Sequence, residues 1–480
     1  MSALEDSIVG EWEPVIGLEI HVQLKTRTKM FCRCETSFGL DPNVRTCPTC
    51  LAHPGTLPVP NGKAIEWTIK LGLALGCEVA SRALFARKNY FYQDLPKGYQ
   101  ISQYEAPLCV SGLLRVPGPD GESRIRINRA HLEEDAAKTI HVGGVEGRIV
   151  GAEHSLVDFN RGGTPLVEIV TEPDIHSADE AKRFLQLLRQ TVVELGISDA
   201  EMEKGTLRCD ANISVRPEGS GELRTRCELK NMNSFTFIAR GIEAEIARQI
   251  SLYESGGEVL QETYDFEAAS GTLTVHRSKE EAEDYRYFPE PDLVPYEPDA
   301  DLVERLQGEL PELPGVRLTR LRRRGIDYDD ALVINENPET VAVVERILDR
   351  GLSTKVVSAT VINDFRGHGI YPLVVNADEI ARLIEAKPEL PRDVYQEAVA
   401  GTALTDFSVE PYLERRVTSD TSELEPLIDR ILEQNPAQVE QYRGGKEGLL
   451  GFFVGQVMRE TRGKANPKVV SELVRAKLSA

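Results

Sequence analysis

Cysteine is scarce in this chain, with 8 residues among 480. That density excludes a disulfide-built scaffold, and four of them (Cys77, Cys109, Cys209 and Cys227) stand singly in apolar or strand-like surroundings. A reducing, cytoplasmic compartment is the expectation. Positive charge is also in deficit: 56 Lys and Arg face 77 Asp and Glu, a net charge of -21. A mean field of that sign repels a phosphate polyanion at long range and excludes indiscriminate nucleic-acid binding, so only local patches can overrule it. No run of about eighteen apolar residues occurs, which argues against a membrane span. The start, Met1-Ser2-Ala3-Leu4-Glu5-Asp6, is acidic where a targeting peptide would be basic. Phosphate-binding loops of the P-loop and Rossmann types are absent, so a nucleotide would be held in some other way.

What is present begins with the other four cysteines. Cys32-Arg33-Cys34 and Cys47-Pro48-Thr49-Cys50 form two short pairs, each able to supply two thiolates from one turn, and Pro42-Asn43 and Pro48 bend the chain between them. A closed tetrahedral zinc site is the economical reading; buried thiols without metal are the alternative, because one intervening residue in the first pair is tighter than usual. Such a site orders a loop and does no chemistry.

The organisation changes near residue 293. Before it, short β-rich segments alternate with Gly, Pro and Asn turns, as in Val15 to Leu24, where Glu19, His21 and Gln23 alternate with apolar neighbours. Helical periods interrupt them at Ala64 to Leu75, Ser177 to Leu195 and Phe237 to Ser255. The mixture reads as α+β with a largely antiparallel sheet. Pro289-Glu290-Pro291-Asp292-Leu293-Val294-Pro295 cannot continue a helix or an inner strand and marks a linker. Mostly helical sequence follows, with a further break near Ala400-Gly401-Thr402, so three domains are expected: 1–293, 294–405 and 406–480. Basic residues predominate after Gln441 (Arg443, Lys446, Arg459, Arg462, Lys464, Lys468, Arg475, Lys477), and Arg317, Arg320, Arg322, Arg323 and Arg324 form a second basic run on a helix ending at Gly325.

Polar groups in the β-rich part cluster as a core would not tolerate. Glu19 and His21 share one strand face, and His131-Leu132-Glu133-Glu134-Asp135 adds three carboxylates and an imidazole. Carboxylates with one imidazole suit a hard divalent cation such as Mg²⁺; a solvated acidic run with a hydrogen-bonded histidine accounts for the same residues. Arg87 to Gln100 is read as a loop rich in cations and aromatics, able to stack a base or meet a phosphate, or else to pack on the sheet.

The strings VIGLEIHVQLKT (15–26), FCRC with CPTCLAHPGTLPVPN (31–61), RKNYFYQDLPKGYQISQY (87–104), HLEEDAAK (131–138), SLVDFNRGGTPLVEIVTEPD (155–174), GTLRCDANISVRP (205–217), ELKNMNSF (228–235) and DYRYFPEPDL (284–293) closely resemble the GatB/GatE family of aspartyl/glutamyl-tRNA amidotransferase B subunits. The resemblance implies a sheet-based cradle like that of glutamine synthetase, then a helical domain and a small helical, tRNA-binding tail. It implies ATP-dependent activation of the side-chain carboxylate of Glu-tRNA(Gln) or Asp-tRNA(Asn), with ammonia from a glutaminase A subunit and a C subunit holding the complex together. By the same resemblance Glu19, His21 and Glu134 are expected at Mg²⁺, with Asp210 and Glu168 in matching motifs. Lys88 and Glu134 are expected where ammonia meets the activating site, Arg161 at nucleotide phosphate, and Cys32, Cys34, Cys47 and Cys50 at Zn²⁺. The competing expectations are a zinc-containing RNA-binding scaffold without catalysis and a stand-alone ligase using free ammonia.

Overall fold

The computed structural model describes residues 12–36, 39–144, 151–268, 270–278, 285–404, 406–416, 421–461 and 463–479. The acidic N-terminal hexapeptide and Arg462 lie outside them. The chain divides into two compact units, Met1–Val316 and Arg317–Ala480.

The first unit is built on strands β1 (Trp12–Gln23), β2 (Glu78–Val79), β3 (Ala86–Asn89), β4 (Tyr99–Ser102), β5 (Cys109–Pro117), β6 (Glu122–Glu134), β7 (Lys138–Val142), β8 (His154–Asp158), β9 (Pro165–Thr171), β10 (Leu207–Pro217), β11 (Cys227–Lys230), β12 (Glu262–Glu267), β13 (Thr272–Ser278) and β14 (Phe288–Pro289). Nine of them form one sheet in the order β13-β12-β11-β10-β1-β9-β6-β5-β2; β14-β3-β4 and β7-β8 make two small ones. Every described pairing is antiparallel except that of β11 with β12. The expected alternation appears in β1: Ile16, Leu18, Ile20 and Val22 are buried in a core shared with helices α1 (Gly62–Ala74), α2 (Ala178–Glu194) and α3 (Phe235–Glu254). The helices begin where short polar side chains cap them: Asn61 accepts from the Lys63 and Ala64 amides, Ser177 from Glu180 and Ser234 from Phe237. Phe184, Leu185, Leu188, Ile238 and Ile242 belong to the same core, leaving the other sheet face to polar side chains. In the segment read as a loop from Arg87 to Gln100, residues 90–98 are a loop, and its ends pair as a hairpin, Lys88 with Gln100 and Asn89 with Tyr99.

The second unit is helical. Helix α4 (Pro314–Arg323), which starts at the end of the first unit, ends before Gly325, whose φ of +88° suits a glycine at a helix end. α5 (Tyr328–Asn335), α6 (Pro338–Asp349) and the helices up to Gly401 enclose one core around Leu321, Val344, Phe365 and Ile384. A smaller core of Leu424, Ile428, Phe453, Val457, Val470 and Val474 joins the last helices. The molecule is thus sheet-rich in its N-terminal part and helical in its C-terminal part. No helix among the described residues is long and apolar enough to cross a membrane.

Candidate active site

Three adjacent strands put the chemistry together. In the antiparallel ladders His21 of β1 lies opposite Glu168 of β9, which lies opposite His131 of β6, so the three side chains share a face. The His21 Nε2 atom is 3.4 Å from Glu168, 3.6 Å from Glu133 and 3.8 Å from Glu19. Arg129 reaches Glu168 at 3.2 Å and donates through Nε to His131 Nδ1 at 3.3 Å. Glu133, Glu168 and His131 are buried, so their charges interact with little screening.

The electrostatics follow from that burial. Desolvation opposes an imidazolium at His21, but the hydrogen bond to Glu168 and the charges of Glu133, Glu168 and Glu19 outweigh it and lift its pKa to about 9. Burial, then the charge of Glu168, pushes the Glu133 carboxyl up to about 7. His131 goes the other way: burial, reinforced by Arg129, holds it near 4, so it is a neutral ring able to accept from Arg129. Lys88, on β3, faces the same carboxylates. Burial works against its ammonium, yet Glu133 and Glu168 raise its pKa above the ordinary lysine value, and its Nζ lies 4.8 Å from the Tyr285 ring centre.

The donor set suits a hard cation. One ligand atom from each of Glu19, His21 and Glu168 lies within 4.8 Å of the others, as do His131, Glu133 and Glu168. Octahedral Mg²⁺ needs donors about 3–4 Å apart, a small contraction that would also offset the carboxylates crowded there. Beside Glu19 the polar face opens into a cleft of about 300 Å³ floored by Val15, Gly17, Val170 and Pro173 and edged by Arg129, Arg224 and Arg226.

Of the expected metal ligands, one lies away from the cluster. Glu134 is not brought to Glu19 and His21. A register shift between Ile127 and Arg129 reverses the parity of β6: Ile125 and Ile127 face the core before it, Ala130 and Leu132 after it. Glu133 therefore joins the cluster, while Glu134 accepts from Lys97 and, at 3.0 Å, from the Ile101 amide, beside a separate cavity of about 210 Å³. Arg161 donates to the Ala136 and Ala137 carbonyls at 2.9 and 2.8 Å and lies 3.7 Å from Asp135. Asp210 stands opposite Glu19 in the ladder but is paired with Lys230 at 2.8 Å. Within the second unit Arg317 donates to Asn335, Arg320 pairs with Glu345 at 2.6 Å and Arg324 with Asp349 at 2.5 Å, so much of that basic run is engaged internally.

Cys32, Cys34, Cys47 and Cys50 do converge, each sulfur within 4.8 Å of the others, with Cys47 and Cys50 3.9 Å apart. Zn–S bonds of about 2.3 Å in a tetrahedron place sulfurs about 3.8 Å apart, so the donor set fits Zn²⁺. Sequence reasoning gave no role to Arg129. Glu133 and His131 stood within a segment already singled out, but nothing local reveals the parity reversal that selects them.

Family models match most of the chain. One described as the GatB/GatE catalytic domain covers residues 14–304, and one described as the GatB domain covers residues 343–478. Among similar proteins, the B subunit of the aspartyl/glutamyl-tRNA(Asn/Gln) amidotransferase of Geobacter sulfurreducens is 48% identical over 97% of this chain and 99% of its own length. The proteins of the same name from Syntrophotalea carbinolica and Persephonella marina are 46% and 44% identical, over 98% and 97% of this chain and 100% and 99% of their own lengths.

Proposed function

This chain belongs to the GatB/GatE family, and from that premise we propose that it is the activating subunit of a tRNA-dependent amidotransferase. It binds misacylated Glu-tRNA(Gln), Asp-tRNA(Asn) or both, and catalyses transfer of the ATP γ-phosphoryl group to the side-chain carboxylate. Ammonia released from glutamine by the A subunit then attacks the acyl carbon and phosphate leaves. A C subunit completes the complex. The physical need is clear: a carboxylate is a poor electrophile, and the acyl phosphate, a mixed anhydride, supplies a good leaving group.

The observation that carries the reading is the cluster of half-buried Glu19 and His21 with buried Glu133 and Glu168, beneath Lys88 and Arg129. In this proposal Glu19, His21 in its deprotonated form and Glu168, with Glu133, would hold Mg²⁺, which when bound neutralises charge on the nucleotide phosphates. Arg129 orients Glu168, and Lys88 orients the substrate carboxylate and stabilises the acyl phosphate. The arginine-edged cleft beside Glu19 supports phosphate binding there, a role better suited to Arg224 and Arg226 than to Arg161. Glu134, paired with Lys97, is assigned to the ammonia side of the site. The sheet would act as a cradle comparable to that of glutamine synthetase, an analogy of architecture alone. Residues 406–480 would grip tRNA through their basic side chains, which makes the acidic mean charge of the chain tolerable. Cys32, Cys34, Cys47 and Cys50 would hold a structural Zn²⁺.

The test is ATP- and Mg²⁺-dependent conversion of Glu-tRNA(Gln) to Gln-tRNA(Gln) by this chain with A and C subunits and ammonium as nitrogen donor, omitting each component in turn. Conversion that requires this chain supports the proposal. No ATP turnover with either Glu-tRNA(Gln) or Asp-tRNA(Asn) would return the reading to a noncatalytic RNA-binding scaffold.

A further inference from the structure

Lys29 has one of the most deeply buried cationic side chains in the first unit, 1% exposed, and it forms no ion pair with a carboxylate among the described residues. Its Nζ donates to the Phe159 carbonyl at 2.9 Å and lies 3.7 Å from the Cys50 sulfur. Its backbone amide donates to the Cys34 carbonyl at 2.9 Å, so one residue touches both cysteine pairs. The stem is threaded past Gly163, where φ is +86° and an added Cβ would stand 3.4 Å from Lys29 Cδ and 3.9 Å from Cys50 Cβ. The slot is built for a long side chain whose charged end arrives at sulfur.

A buried ammonium whose partners are one carbonyl and one cysteine sulfur has no carboxylate among the described residues to balance its charge. Four thiolates around a dication carry a net charge of about -2, which an ammonium at hydrogen-bonding range of one sulfur partly cancels. We propose that Lys29 is the buried counter-ion of the four-cysteine centre, a positioning residue whose charged hydrogen bond to Cys50 strengthens Zn²⁺ binding. The inference rests on the zinc reading of those cysteines.

The experiment uses the full-length chain, with Zn²⁺ affinity measured by competition with a chromogenic chelator and the absorption spectrum recorded after loading with Co²⁺. Lys29→Met keeps the apolar stem and removes the charge. Lys29→Gln keeps an N–H donor for Phe159 without the charge and decides the matter if the first variant does not fold. Both variants are expected to bind Zn²⁺ about 10–100-fold more weakly than the parent, the range typical of lost outer-shell partners. The thiolate-to-Co²⁺ charge-transfer band should move to lower energy as Cys50 loses its cationic donor, a change that a purely structural tie to Phe159 would not produce. If the parent binds one Zn²⁺ and both variants match it in affinity and spectrum, the counter-ion role is overturned while the zinc reading stands. If the parent takes up neither metal, the zinc reading and this inference fall together.

Discussion

Arg87 and Glu290 form the contact whose removal should be most informative. Arg87 Nε and Nη2 each lie 2.7 Å from a Glu290 oxygen, and the Glu290 side chain is fully buried while that of Arg87 is 20% exposed. The guanidinium also stacks 4.3 Å from the Tyr99 ring centre. This fork ties the segment from Tyr285 to Asp292 onto β3, so that Tyr285 and Tyr287 stand beside Lys88. Arg87→Met would strand a buried carboxylate, which costs about 3–5 kcal/mol. In a unit of this size that corresponds to a fall in melting temperature of roughly 5–8 °C. Glu290→Met strands a cation that can still reach water and Asp292, 3.3 Å away, so it should cost less. The double variant replaces both charges with apolar groups and should recover much of the loss, giving a coupling energy of about 2 kcal/mol or more. The assay is a double-mutant cycle on the denaturation midpoint of the first unit, run alongside ATP turnover. Turnover should fall in both single variants because the tyrosine wall beside Lys88 loosens. Effects that add within about 0.5 kcal/mol would refute the reasoning, since independent sites behave that way.

Further outcomes can be checked against the same structure. Glu133→Gln should reduce Mg²⁺-dependent ATP turnover by at least about 100-fold with tRNA binding little changed, because it removes a buried carboxylate from the cluster; Glu134→Gln should spare Mg²⁺ affinity, and equal loss of metal binding in both would contradict the parity of β6. In the presence of a chelator, the folded pKa of His21, about 9, exceeds its unfolded value near 6.5, so its stabilising contribution is complete below about pH 6.5 and disappears as pH rises through 9. Urea midpoints of the parent and His21→Asn measured from about pH 6 to 10 should therefore converge at the alkaline end. Gly72→Ala in α1 would put a Cβ 2.8 Å from Cys109 Cβ on β5 and should destabilise by about 1–3 kcal/mol despite the better helix propensity of alanine; thermal melts of Gly72→Ala and Gly72→Ala/Cys109→Ala should show partial recovery in the second.

Local sequence determined a good deal of this protein. The alternation around Glu19 and His21 requires a strand with one polar face, Asn61, Ser177 and Ser234 start helices by satisfying free amides, and two close cysteine pairs can supply a four-sulfur site. Each depends on neighbours a few residues apart, which is why it is legible. The choice of Glu133 over Glu134 was decided by a bulge formed only when β6 pairs with β9, and His21, Glu168 and His131 meet only through the register of three strands distant in sequence. Tertiary contact also consumed groups that composition left free: Arg161 binds two carbonyls, and Arg320 and Arg324 pair across to Glu345 and Asp349. A side chain's type sets what it can bind, but its chemistry belongs to whichever partners the fold brings within about 3–4 Å, and burial then decides how strongly their charges are felt.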